Sequence, residues 1–373
     1  MYEVDLDRFW KDDARSHGQN CFDPAAPQVA MGILMSGECI FAELGIEGNP
    51  WLNDTPRDVL IDLHKRYNEK ALQIVGKSLL PETFAPEDSK FPESGDFTTV
   101  FEARNVIKGG SYWLESDIRT AEDLSAVLDR VEKRLPNLRE YLFPANWESE
   151  KKRIFETYGI RPSQRRHIRG PVTFAMTYLG VENFIYMMMD EPELVERFRD
   201  LLCTTVIECA RIYDEEAGYT PETAPHGFSF ADDDCCLLNE ELYSEFGYPV
   251  LEKIFNTFSP DPGDYRYQHS DSAMGHLLPV LAPLNFTGVN FGPTVMFEDI
   301  RRHMPNTCVH GCLAPFTFMR NDEEAIIAEV RRDCEAAKGT RGLLLRTAGS
   351  INNGSLLTSM RAVMHAIQTY GQY

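Results

Sequence analysis

Over the second half of the chain, short apolar or β-branched runs end in polar residues and give way to long amphipathic stretches, and this alternation repeats six times in about 210 residues. HIRGPVTFAM precedes EPELVERFRDLLCTTVIECARIYDEEAG. HGFSFADDD precedes NEELYSEFGYPVLEKIFNTF, and DYRYQHSD precedes a helix through HLLPVL. FTGVNFG precedes MFEDIRRHM, TCVHGCL precedes NDEEAIIAEVRRDCEAA, and RGLLLRTAG precedes SLLTSMRAVMHAIQTYG. Strands alternating with helices of this length predict an α/β fold with a parallel sheet, either a closed (β/α)8 TIM barrel or a doubly wound sheet. The absence of a G-x-G-x-x-G turn disfavours a dinucleotide-binding version of the open sheet and favours the barrel.

Residues 1–120 are more irregular. DTPRDVLIDLHKRYNEKALQIVG reads as a helix capped by Asp54 or Thr55, and FTTVFEARNVI as a β-type run. No Gly/Ser-rich or Pro-rich linker divides the chain, so the expectation is one domain over 1–373 with an N-terminal elaboration over 1–120.

Composition adds mainly exclusions. Formal net charge is -21 and the sequence pI about 4.9, a balance that repels nucleic-acid phosphates and anionic membrane surfaces. The opening MYEVDLDRFWKDD lacks a signal-type apolar core, and no uncharged run approaches a membrane span, which predicts a cytoplasmic location. Nine scattered cysteines without a C-x-x-C pair argue against a disulfide framework and predict small buried hydrophobes.

In a barrel, chemistry sits where strands end, at the C-terminal mouth. The residues there are Asp232, Asp233 and Asp234 after FSFA, His269 and Asp271 after YRYQ, Asn290 in GVNFG, His310 after TCV, and Thr347, Gly349 and Ser350 after LLLR. His269 and Asp271, two apart, can both point into the mouth, and imidazole with carboxylate binds a divalent metal or moves protons. The bland alternative is a strand-end histidine bonded to a loop carbonyl with Asp271 capping a helix. Three consecutive aspartates demand solvation, protonation or a counter-cation, and at least one is expected to face the pocket; the bland alternative is that one of them caps the helix beginning near Asn239. His310 has no sequence neighbour to pair with, the Met187 to Met189 run reads as core packing, and Arg165-Arg166-His167, ahead of a strand expected from Gly170, reads as a solvated loop or an anion site. Ser350 lacks a G-x-S-x-G elbow.

GPVTFAMTYLGVENFIYMMMDEPELVERFRDLL, DDDCCLLNEELYSEFGYPVLEKI, HSD, HGCLAP and the final AGSINNGSLLTSMRAVMHAIQTYG resemble, in order and spacing, segments of the uroporphyrinogen decarboxylase superfamily. The resemblance covers 165–371 well and the N-terminal third weakly. It implies the (β/α)8 barrel. The R-Q-A-G-R segment with which true decarboxylases grip their substrate is absent, which points to the methyltransferase-like branch. Corrinoid-dependent members of that branch hold zinc through His-x-Cys and a later Gly-Cys; this chain has His269-x-Asp271 and Gly349-Ser350 there, a harder donor set.

The resemblance therefore implies a methyltransferase that moves a methyl group from a small, methoxylated substrate to a corrinoid protein, with zinc ligands drawn from His269, Asp271 and either Asp233 or Glu82. Asp232, Asp233, His269 and Asp271 would line the reacting end, and Tyr178, Asn290 and His310 would shape the pocket. A homodimer is common among such proteins. The rival readings are a decarboxylase or lyase acting on a non-porphyrin acid, which needs arginine in the pocket, and a catalytically silent binder of a corrinoid or small ligand.

Overall fold

The computed structural model describes residues 1–48, 55–108, 111–349, 351 and 353–373. Among these the strands are β1 (Ala30–Met31), β2 (Arg104–Lys108), β3 (Ser111–Glu115), β4 (His167–Arg169), β5 (Phe228–Ala231), β6 (Arg266–Ser270), β7 (Gly288–Phe291), β8 (Cys308–His310) and β9 (Leu343–Leu345). The chain forms two compact units, one of Met1–Phe84 with Tyr267–Tyr373 and one of Ala85–Arg266.

In the first unit the strands run parallel in the order β1-β9-β8-β7-β6. Their registers pair Ala30 with Leu344, His310 with Leu344, Gly288 with Cys308, and His269 with Asn290. Partners in register show their side chains on the same face. One face therefore carries Leu344, His310, Asn290 and His269, while Leu343, Leu345, Val289 and Val309 on the other face are fully buried. Crossovers pass through the helices Phe297–His303, between β7 and β8, and Glu323–Ala337, between β8 and β9. Asp322 caps the second of these, its side chain accepting from Ala325 N. The helix Leu357–Tyr370 follows β9 and packs against Glu323–Ala337. Thus the strand-then-helix units read from the sequence are present.

The second unit contains the parallel pair β4 and β5, with His167 in register with Ser229, and the antiparallel hairpin β2–β3. Its helices include Pro171–Leu179, Val181–Asp190, Pro192–Glu216 and Glu240–Phe258. An aromatic cluster of Phe101, Phe174, Tyr178 and Phe198 forms part of its core, with Phe174 stacked on Tyr178 at 5.0 Å between centroids.

Three local expectations need correction. The strand expected from Gly170 is instead His167–Arg169, and PVTFAM opens the helix Pro171–Leu179. Pro171 at the first helical position is preorganised for that turn, and Gly170 is required beneath it because a Cβ would lie 2.3 Å from Asp232 Cβ. The run FTTV is a short helical turn rather than a strand, held by Asp96 accepting from Thr98 N at 2.8 Å, so the strand starts only at Arg104. The helix expected from DTPRDVLIDLHKRYNEKALQIVG spans Arg57–Ile74 with Pro56 at its cap, so that it begins two residues past the Thr55 proposed; Asp54 lies outside the described residues. All nine cysteines are free thiols and all but Cys236 are buried, as their scatter suggested. No helix among the described residues is long and apolar enough to cross a membrane.

Candidate functional site

The C-terminal ends of β6 to β9 converge on Asn290. This side chain is buried at the end of β7, and each of its polar atoms is used. Its Nδ2 donates to the carbonyls of His310 and of Thr347, the latter at 3.2 Å. Its Oδ1 accepts from Gly349 N at 3.1 Å and lies 2.8 Å from His269 Nδ1. Because a backbone N–H fixes which end of the amide is oxygen, the 2.8 Å contact requires His269 Nδ1 to carry the hydrogen. The neutral ring then has its lone pair on Nε2, the state in which histidine ligates a metal or accepts a proton. One asparagine thus ties three strand ends together and sets the tautomer of the fourth.

Asp271 follows β6 next to the loop after β9. A Cβ on Gly349 would sit 3.2 Å from Asp271 Oδ2, and Gly349 has φ +95, so both space and backbone conformation call for glycine there. Thr347 Oγ1 donates to Gly349 O at 2.8 Å and pins the same loop. Ser350 lies outside the described residues.

His310 is half-buried with its ring 5.2 Å from that of Tyr267. Gly288 leaves the room its ring occupies, a Cβ there falling 3.2 Å from Nε2. Burial pushes His310 down to about 4, with the Arg346 guanidinium adding to the shift, so the ring is neutral at physiological pH. Arg346, half-buried, follows β9 on the face that carries Leu344: a Cβ on Gly32 would meet both the Leu344 side chain and, at 3.3 Å, Arg346 Cβ. Among the described residues no side-chain hydrogen bond or ion pair is made by its guanidinium. Sequence reading missed this residue by treating the arginine of LLLR as the boundary of the run rather than as its last inward position. Strand alternation from Leu344 was the signal that could have found it.

In the second unit, Asp232 follows β5 and is fully buried. Its Oδ1 accepts from Thr173 N at 2.7 Å in the first turn of the helix Pro171–Leu179, while Thr173 Oγ1 accepts from Asp234 N at 2.9 Å. Asp232 Oδ2 is buried without a partner among the described residues. Burial raises this carboxyl to about 7 against the opposing Thr173 bonds, and the charges of Asp233 and Asp234 push the same way. Asp234 is also raised by burial, with Arg169 opposing. None of the three caps the next helix; Asn239 does, accepting from Leu242 N at 2.8 Å. Asp233 is half-buried in the turn Asp233–Leu237.

The remaining candidates are each engaged by neighbours of their own. Tyr178 is buried in the aromatic cluster, its hydroxyl donating to Phe101 O. Glu82 is exposed and accepts from Asn68 Nδ2 at 2.9 Å. Arg166 is paired with Asp214, and Arg165 donates to the carbonyls of Ser94 and Gly95 over the Tyr213 ring. A group not singled out from sequence, His226 with Asp264 at 2.9 Å and Asp261 at 3.6 Å, precedes β5 and β6 on the surface.

Whether this donor set suits the zinc of the methyltransferase-like branch can be judged from its chemistry. A histidine locked with Nε2 as the unprotonated nitrogen, beside a carboxylate, supplies nitrogen and oxygen ligands that zinc accepts, and the buried Asn290 behind the ring is the kind of outer partner that orients a metal-bound imidazole. The residues fit a divalent metal, of harder character than a thiolate site.

A search of curated proteins finds no match. Among solved structures the chain is similar to a methyltransferase from Methanosarcina mazei, at 14% identity and a TM-score of 0.53, covering 99% of each chain. At that identity the likeness concerns the fold. The model of the uroporphyrinogen decarboxylase (URO-D) family matches residues 167–370, more than half of the sequence. With that match, the strand and helix order of both units and the (β/α)8 expectation agree, and the chain belongs to the uroporphyrinogen decarboxylase family.

Proposed function

We propose that this chain is a methyltransferase of the family, taking a methyl group from a small methoxylated compound and passing it to the cobalt of a separate corrinoid protein. The observation that carries the reading is the fixed tautomer of His269, whose Nδ1 is engaged by Asn290 and whose Nε2 is the basic nitrogen at the strand ends, beside a carboxylate loop. In this reading His269 and Asp271 hold a divalent metal, zinc by preference, with Glu82 or Asp233 as a further ligand. Asp232 and Asp233 are assigned to the reacting end on sequence grounds alone. Bound there, zinc supplies Lewis acidity to the ether oxygen that departs when the methyl group is transferred.

The chain's own residues prepare that step. Asn290 holds His269 in one orientation before substrate arrives, so no reorganisation is needed at the moment of reaction. His310, kept neutral by burial, shapes the pocket wall without adding positive charge. The departing oxygen needs one proton, which water can supply, or a positive charge to balance it. In the balanced step the C–O bond breaks, a Co–C bond forms, and the product hydroxyl keeps the proton. The structural similarity to a methyltransferase supports the reading at the level of fold.

The test pairs elemental analysis with turnover. Wild type, His269→Ala and Asp271→Ala are analysed by inductively coupled plasma mass spectrometry and incubated with methoxylated compounds and cob(I)alamin. Near-stoichiometric zinc and methylcobalamin in the wild type, both lost in the variants, support the reading; unchanged turnover in His269→Ala removes that residue from the mechanism. A second reading, a decarboxylase acting on a non-porphyrin acid, is favoured by Arg346, a cation without a carboxylate partner among the described residues. Release of carbon dioxide without methyl transfer distinguishes it.

A further inference from the structure

Most arginines of this acidic chain are committed. Arg139 pairs with Glu215 and Glu216, Arg166 with Asp214, Arg197 with Asp129 and Glu132, and Arg301 donates to five backbone carbonyls. Arg346 is different. It stands at the C-terminal end of β9, on the face that also carries His269, Asn290 and His310, and its guanidinium has no acceptor among the described residues. Formal charges of 58 acidic against 37 basic residues make an unpaired, half-buried cation at a strand-end cluster a position that the chain has not neutralised, although acids are abundant. Withdrawing a guanidinium from water without a partner is costly unless an anion supplies the missing acceptors. The neutral ring beside it, His310, cannot be that anion.

We propose that Arg346 anchors a carboxylate of the substrate, so that the compound this site accepts is a small methoxylated carboxylic acid rather than a neutral ether. The methoxy group in that description rests on the methyl-transfer reading, and the acid rests on Arg346 alone. Geometry adds an orientation. β6 and β9 are separated by β7 and β8, and Arg346 lies two residues beyond Leu344, the position level with His269, so the backbones bearing His269 and Arg346 are about 16 Å apart if the sheet is laid flat, at about 4.8 Å per strand and about 3.3 Å per residue. Each side chain spans part of that gap. The carboxylate therefore belongs at the end of the substrate remote from the methyl group, with a short chain or one ring between them. A planar, bidentate guanidinium suits this recognition better than an ammonium would.

The probes are 3-methoxybenzoic, 4-methoxybenzoic and methoxyacetic acids, each beside its methyl ester, and binding is measured by thermal shift and calorimetry on wild type, Arg346→Gln and Arg346→Lys. At least one acid is expected to bind wild type while its ester does not. That acid should bind Arg346→Gln roughly ten- to a hundred-fold more weakly, as loss of charged hydrogen bonds implies, with partial recovery in Arg346→Lys. Acids and esters binding alike, no acid binding, or undiminished acid binding to Arg346→Gln would each overturn the inference. The ester comparison uses wild type only and does not depend on the variants folding. Acid-selective binding without methyl transfer to cob(I)alamin would sink the methyl-transfer reading and leave the anchor standing. Methyl transfer from neutral ethers, undiminished in Arg346→Gln, would do the reverse.

Discussion

Replacing Asp232 by asparagine removes a carboxyl whose ionisation burial opposes. The side chain is fully buried, Oδ1 accepts from Thr173 N, and Oδ2 has no partner among the described residues. Its folded value is about 7 against an ordinary 3.8. A raised carboxyl stabilises the fold below its unfolded value, and that contribution is lost as pH rises through the folded value. At about 1.36 kcal/mol per unit, the native state forfeits roughly 1 kcal/mol by about pH 4.5 and about 4 kcal/mol by about pH 8.5. The amide of Asp232→Asn keeps the acceptor for Thr173 and carries no charge. The substitution should therefore stabilise the protein increasingly with pH, by roughly 3 kcal/mol more at about pH 8.5 than at about pH 4.5, an upper figure because a buried site relaxes. Thermal unfolding of both proteins across that range reads the effect as a difference of roughly 4 °C at this chain length. A pH-independent gap, or a gap that closes at high pH, refutes the reasoning.

His310→Gln gives the opposite sign: its folded value is about 4, so the wild type loses stability as pH falls from 6.5 towards 4, by about 2 kcal/mol after allowance for partial exposure, and the variant should lack that loss in the same unfolding series. Asn290→Ala removes two donated and two accepted hydrogen bonds at one buried point, and is expected to cost about 2–4 kcal/mol in denaturant unfolding and to weaken metal binding about ten- to a hundred-fold in competition with a chelator. Gly349→Ala introduces a Cβ 3.2 Å from Asp271 Oδ2 at a φ of +95, and should lower stability by about 1–2 kcal/mol while weakening metal retention more than it weakens the fold.

Much of the fold was legible because each strand of the second half ends in polar residues before a long amphipathic helix, a pattern that core burial imposes directly. β6 to β9 and their helices fall where that pattern put them. The errors lie where local chemistry outranks periodicity. In PVTFAM every position is buried, so helix and strand look alike in apolar content, and only Pro171 and the close approach of Gly170 to Asp232 decide. In FTTV the capping carboxylate of Asp96 wins over β-branched composition.

The candidate residues at strand ends could be named from sequence, but their relations could not. That Asn290 Oδ1 meets both His269 Nδ1 and Gly349 N depends on the register of β6 on β7 and on the return of a loop 59 positions away. Tyr178 shows the converse: an aromatic near a strand end invites a pocket role, while the structure sets it among Phe101, Phe174 and Phe198. Arg346 was hidden by its setting, a charged residue closing an apolar run and read as the boundary of a strand rather than as its last inward position.

The claim on which the account turns is that this mouth demethylates. Purified protein is loaded with zinc and mixed with cob(I)alamin and the methoxylated acids, and the cobalamin spectrum is followed for wild type and His269→Ala of confirmed fold. The account predicts methylcobalamin and the matching hydroxy acid from the wild type and neither from the variant; equal methyl transfer from both proteins, or carbon dioxide release with the methoxy group intact, contradicts it.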